Sequence, residues 1–61
     1  MNAHQKLVAD TIAAARRDLR PDPEGDIEFG FGVLQERLGD AFGAVAIPYF
    51  DRPAFDSACK P

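Results

Sequence analysis

The stretch PDPEGD at residues 21–26 divides the chain into two parts of different composition. Its two prolines end a preceding helix, because the residue before a proline is pushed out of the α region, and Gly25 permits a turn. No Phe, Tyr or Trp precedes this stretch. All six aromatic residues follow it, namely Phe29, Phe31, Phe42, Tyr49, Phe50 and Phe55. We therefore expect an amphipathic helix before the turn and an aromatic half after it that has to be covered.

The part before the turn is predicted to be a helix over about residues 3–19. Apolar side chains recur there at the spacing of one helical face. They are Leu7, Val8, Ile12, Ala15 and Leu19, widened by Ala9, Ala13 and Ala14. Asn2 is suited to the N-cap, with Gln5 three residues later in a loose version of the capping box. Pro21 and Pro23 end this helix.

Two structures fit the part after the turn. As a helix, residues 27–45 present a single apolar stripe, made of Ile27, Phe31, Leu34, Leu38, Phe42 and Val45. As a strand, the apolar residues at 27, 29, 31 and 33 alternate with Glu28, Gly30 and Gly32. We favour a helix over about 27–38, with Asp26 as N-cap and Gly39 just past the C-terminus. Residues 40–46 either continue helically or break at Gly43. The alternative is an α+β fold with short strands near 27–33 and 44–50.

A short third helix is predicted near the C-terminus. Asp51 is suited to its N-cap and Pro53 to its first turn, with Phe55, Ala58 and Cys59 facing inward. The predicted architecture is a single all-α domain over residues 1–61. Two antiparallel helices (about 3–19 and 27–38) form a hairpin, and the aromatic C-terminal segment covers its open side.

The charge distribution argues against a nucleic-acid-binding protein. The formal net charge is −3, with a balance of +2 over residues 1–20 and −5 over residues 21–61. Nucleic-acid modules normally carry a positive face, since contacts with phosphates supply much of their affinity. The one basic cluster, residues 16–20, is more simply explained by cations that complement the C-terminal end of a helix. A nucleic-acid accessory role is therefore the less favoured hypothesis.

The sequence contains no recognisable catalytic, cofactor or metal-binding motif. His4 and Cys59 are the single histidine and cysteine, which allows neither a disulfide nor a zinc site of four such ligands. An EF-hand loop counted from Asp22 would place Ile27 and Val33 where Gly and Glu are required. We therefore predict a protein that is not an enzyme and that uses no cofactor and no metal.

Nothing in the sequence has the length and apolar character of a membrane span or of a signal peptide. We accordingly expect no membrane association and a cytoplasmic location. The initial Met and the small size are typical of a complete short reading frame, and the abundance of Ala and Arg indicates a GC-rich bacterial or phage genome.

We hypothesise that this small acidic protein binds a larger protein and regulates or inhibits it, as phage or mobile-element inhibitors and anti-activators do. Aromatic rings beside an arginine on a proline-stiffened segment, as in residues 49–55, are typical of interface anchors. The candidate partner-binding residues are Phe29, Phe31, Glu36, Asp40, Tyr49, Phe50, Asp51, Arg52 and Phe55. An equally weighted alternative is that these rings complete the core. A second hypothesis for function is a self-associating scaffold subunit, for example a homodimer.

Overall fold

The computed structural model describes residues 1–19, 23–45 and 50–61, and these ranges form three helices. They are α1 (Ala3–Leu19), α2 (Asp26–Val45) and α3 (Arg52–Ala58). The described residues include no strand, which confirms the all-α prediction. The α+β alternative is wrong, because residues 27–33, its first proposed strand, are helical. Residues 46–49 of its second proposed strand lie outside the described residues.

The first helix begins and ends where local chemistry predicts. The backbone amide of Gln5 donates to Asn2 Oδ1 at 2.8 Å, and the amide of Asn2 donates back to Gln5 Oε1 at 3.1 Å. This reciprocal pair is a capping box, which satisfies two amides that the helix itself leaves without partners. The helix ends at Leu19, two residues before Pro21.

The second helix is longer than predicted. We expected it to end near Leu38, with Gly39 beyond its C-terminus, and this is wrong because the helix continues to Val45. Gly39 is buried within the helix, and a Cβ built there would lie 2.5 Å from Arg52 Cζ. The glycine therefore allows an arginine from α3 to lie against the backbone of α2. Its role is close approach, not helix termination.

The start of α2 is also displaced by one residue from the prediction. Gly25, with a φ of 78°, accepts the amide of Phe29 at 2.9 Å and so occupies the N-cap position that we assigned to Asp26. Asp26 and Glu28 lie in the first turn, where negative charge complements the helix dipole.

The third helix follows the prediction closely. Asp51 is its N-cap, and the carboxylate accepts the amide of Ala54 at 3.0 Å. Pro53 lies in the first turn, where the missing amide hydrogen has no consequence. Phe55 and Cys59 face inward, and both are fully buried.

The first two helices are antiparallel, and α3 packs against both of them. At one end of the pair the ring of His4 meets the ring of Phe42 at a right angle, with 6.2 Å between the centroids. At the other end Arg16 reaches Glu28. The core lies between the three helices, and α3 supplies its largest buried side chain, Phe55.

The buried face of α1 differs from the predicted apolar stripe. It consists of Gln5, Ala9, Ile12, Ala13 and Arg16. Leu7 and Leu19, which we placed in the stripe, are more than half exposed. The small side chains of the alanines let Phe55 approach the helix closely, so that α3 and not α1 provides the bulk of the core. None of the helices in the described ranges is both long enough and apolar enough to cross a membrane.

Candidate functional site

Most of the aromatic residues predicted to bind a partner lie in or against the core. Phe55 is fully buried, and Phe31 and Phe50 are half-buried and pack against the core. The ring centroids of Phe42, Phe50 and Phe55 lie 5.5 to 5.6 Å apart, a spacing typical of favourable aromatic pairs. These rings therefore serve the core, which was the alternative drawn from the sequence. Tyr49 lies outside the described residues.

Phe29 is placed differently from the other phenylalanines. The residue is 74% exposed, although it carries a large apolar group on a well-formed helix. Among the phenylalanines of the described ranges it is the only exposed one.

The charged candidates come together around Arg52. Its Nη2 lies 2.9 Å from a Glu36 carboxylate oxygen, its Nη1 lies 3.0 Å from Asp40, and its Nε lies 3.3 Å from Asp56. The hydrogen bond with Asp40 is the main reason that the pKa of Arg52 is raised above its ordinary value. Glu36, Asp40 and Arg52 therefore join α2 to α3. Asp51 caps α3, as described above.

Arg16 is the main feature that sequence reasoning missed. The sequence assigns it to a basic cluster that complements the C-terminal end of a helix, but the residue is only 7% exposed. Its Nη1 donates to Gln35 Oε1 at 2.7 Å and to the Cys59 carbonyl at 2.8 Å, and its Nη2 lies 2.9 Å from Glu28. Its Nε is buried and has no hydrogen-bond partner in the structure. One guanidinium on α1 thus contacts α2 and the end of α3.

The two arginines belong to one polar network. Gln35 Nε2 donates to Asp56 Oδ1 at 3.0 Å, and the same oxygen accepts from Arg52. The network therefore runs from Glu28 through both guanidinium groups to Glu36 and Asp40, and it crosses all three helices. One sequence signal could have revealed that Arg16 is buried. It follows Ile12 by four residues and Ala9 by seven, and this spacing places it on the same helical face as those two residues.

A shallow depression of about 420 Å³ lies on the side of α2 that faces away from the core. We call its lining the outer face of α2: Phe29, Gly32, Val33, Glu36 and Arg37. Val33, which is 38% exposed, lies nine residues before Phe42, or about two and a half helical turns. The two side chains therefore point in opposite directions, and Phe42 packs on the core.

The charge on this outer face is only partly neutralised. Glu36 is paired with Arg52 on one flank. Arg37 is exposed and makes no ion pair within the described ranges. A ligand that contacts the outer face would therefore meet an apolar ring, a flat glycine surface and one available cation.

The groups with potential nucleophilic or acid–base chemistry do not converge. His4 packs edge-on against Phe42 near the start of α1, whereas Cys59 lies beside Arg16 near its other end. Burial is the main cause that raises the pKa of the Cys59 thiol above its ordinary value, which keeps it protonated at neutral pH. In the part of the chain that the structure describes, no cluster of three or more His, Cys, Asp or Glu side chains is placed to hold a metal ion.

No protein-family model matches the chain, and no curated protein or solved structure is significantly similar to it.

Proposed function

We propose that this chain is a non-catalytic protein that binds a larger protein through the outer face of α2 and thereby regulates or inhibits it. The observation that carries the proposal is the position of Phe29, which is 74% exposed on the side of the helix turned away from the core. Burying a phenylalanine side chain contributes about 1.5 to 3 kcal/mol of favourable free energy. Phe29 gains little of this free energy when the chain folds, because it stays largely exposed to water. Exposed aromatic rings of this kind are frequent hot spots in protein interfaces.

The glycines beside Phe29 support the same proposal. Gly30 and Gly32 have no atom within 4 Å of the position that a Cβ would occupy, so internal packing does not require them. Each costs a helix interior about 1 kcal/mol relative to alanine. Their effect is a flat surface beside an exposed ring, which a partner can approach closely.

The polar network supports a binding role in a second way. Arg16 and Arg52 connect the three helices. Their contacts fix the position of α2, and with it the outer face of α2, relative to α1 and α3. Pre-organised surfaces bind more tightly, because less conformational entropy is lost on association. Regulation by occupying a surface of the partner needs no catalytic group on this chain.

The proposal is tested by capturing partners from the host extract with the tagged chain, after nuclease treatment and at low and high salt. We expect one near-stoichiometric protein that is retained at high salt. The Phe29→Ala variant should lose it, whereas Leu7→Ala, which removes another exposed apolar side chain from α1, should retain it. Equal capture by the two variants would place the docking surface elsewhere. Loss of every partner on nuclease treatment would favour a nucleic-acid role instead.

A further inference from the structure

We infer that, in the absence of a partner protein, two copies of this chain associate through the outer face of α2, with the two α2 helices antiparallel across a two-fold axis at Val33. This inference concerns the isolated chain and goes beyond the proposed function. The two kinds of association would use the same surface and would therefore compete.

The spacing of the exposed groups makes the outer face complementary to itself. Phe29 lies four residues before Val33, and Arg37 lies four residues after it. In an antiparallel pair centred on Val33, Phe29 of each copy lies opposite Arg37 of the other. Such reciprocity is what a two-fold interface requires. The exposed ring would then contact the Arg37 guanidinium, which has no ion-pair partner within the described ranges, and the two form a favourable cation–π pair.

The depression fits this arrangement. Phe29 and Arg37 of one copy both line it, so the ring of the second copy would lie at the Arg37 end of the depression. Gly30 and Gly32 leave open space above the helix, which lets the second helix approach closely. In this register Glu36 of one copy faces Gly30 of the other, where no side chain obstructs it.

One contact in this register is unfavourable. Asp26 of one copy faces Asp40 of the other, and like charges repel. Arg52 lies 3.0 Å from Asp40 and offsets part of the repulsion. The association is also limited by area, since one face of a single helix is smaller than the roughly 800 Å² per partner of a standard interface. We therefore expect a weak dimer, with a dissociation constant in roughly the micromolar to millimolar range.

Charge complementation at position 33 tests the dimer and the meeting of the two Val33 side chains at its two-fold axis. We expect sedimentation equilibrium up to about 1 mM to show a monomer–dimer equilibrium for the wild-type chain. Val33→Glu alone and Val33→Lys alone should each raise the dissociation constant at least about tenfold, because like charges meet at the axis. An equimolar mixture of the two variants should restore association, since opposite charges then meet. This restoration cannot result from misfolding of either variant.

The same charges placed on α1 provide the control. Leu7→Glu, Leu7→Lys and their mixture should all associate as the wild type does, because Leu7 is exposed on another helix. A wild-type chain that stays monomeric at about 1 mM would overturn the inference. So would a dimer that persists in both Val33 variants, or a mixture that associates no better than its components.

A second variant tests the register by a gain of association. Asp26→Asn removes one partner of the like-charge contact, so we expect the dimer to bind a few-fold more tightly. An unchanged or weaker dimer would contradict the antiparallel register.

Discussion

Arg16 joins α1 to α2 and to the end of α3 from a position with almost no solvent exposure. Three hydrogen-bonded or ionic contacts join its guanidinium to Glu28, Gln35 and the Cys59 carbonyl. A planar group with five N–H donors can satisfy several acceptors at once, whereas the ammonium of lysine is a point charge on a flexible stem. Burying a charge in so small a protein is favourable only because these partners are already positioned.

We predict that Arg16→Lys lowers the free energy of unfolding by about 2 kcal/mol, since a lysine loses the forked geometry and leaves a buried acceptor unpaired. Arg17→Lys is the matched control, because Arg17 is exposed next to it. That change should stay within about 0.5 kcal/mol. Urea denaturation followed by circular dichroism measures both. Equal effects would mean that the buried contacts of Arg16 contribute little to stability.

We expect the buried Cys59 thiol to make the stability of the protein depend on pH above neutrality. Burial is the first cause that raises its pKa, with Arg16 opposing and Asp56 adding to the shift. The stabilisation from the protonated thiol is therefore complete below the unfolded pKa of about 8.5, and it is lost as the pH rises through the higher folded value.

We accordingly expect the wild type to lose more stability between pH 7 and pH 10 than Cys59→Ala, in which no thiol titrates. All other ionisable groups are common to both proteins, so the difference between the two losses isolates the thiol. Urea midpoints at several pH values provide the comparison. Parallel losses in the two proteins would show that the buried thiol does not contribute.

At the scale of the elements, the contact between α2 and α3 depends on a glycine that faces an arginine. A Cβ at position 39 would come within 2.5 Å of Arg52 Cζ and Nε. The guanidinium would have to leave a site where it meets Glu36, Asp40 and Asp56. In a helix interior, the same change from glycine to alanine normally stabilises by about 1 kcal/mol.

We predict that the effect of Gly39→Ala on stability depends on whether residue 52 is an arginine. Gly39→Ala should stabilise the Arg52→Ala protein by about 1 kcal/mol, but the wild type by much less or not at all. Gly30→Ala is the control, because open space surrounds that position, and it should stabilise both backgrounds alike. A double-mutant cycle on the free energy of unfolding measures the coupling. An additive cycle would contradict the close packing of Arg52 on Gly39.

The sequence predicts the local features of the fold and misses those that depend on distant residues. The capping box at Asn2, the cap at Asp51 and the end of α1 before Pro21 depend on residues within a few positions, and all three predictions are confirmed. Gly39 and Arg16 depend on where α3 returns after more than ten further residues. Local patterns contain no such information, so a glycine resembled a helix end and a buried arginine resembled part of a basic cluster that complements the end of a helix.

At the scale of the whole molecule, the three helices of the described ranges share one small core, and its largest buried side chain among these residues comes from the shortest helix. Small domains are marginally stable, at about 0.05 to 0.15 kcal/mol per residue. Replacing one buried phenylalanine with alanine leaves a cavity that costs about 3 to 5 kcal/mol. A single such substitution can therefore remove most of the stability of a small domain. The core and the outer face of α2 should therefore respond very differently to the same substitution.

Phe55→Ala and Phe29→Ala test whether the core and the outer face of α2 contribute differently to stability. We expect the first to abolish most of the cooperative thermal unfolding seen by circular dichroism, because it empties the core. The second should change stability by no more than about 0.5 kcal/mol, because the Phe29 ring is 74% exposed. A large loss of stability in Phe29→Ala would mean that its ring supports the fold, which would remove the basis for a docking role.

The central claim is that the outer face of α2 is the surface that binds a partner protein. Its most direct test is isothermal titration of the purified captured partner with the wild type, Phe29→Ala and Leu7→Ala. We predict that Phe29→Ala raises the dissociation constant at least about fivefold, since hot-spot rings contribute more than about 1 kcal/mol, and that Leu7→Ala leaves it nearly unchanged. Equal dissociation constants for the three proteins would contradict the claim.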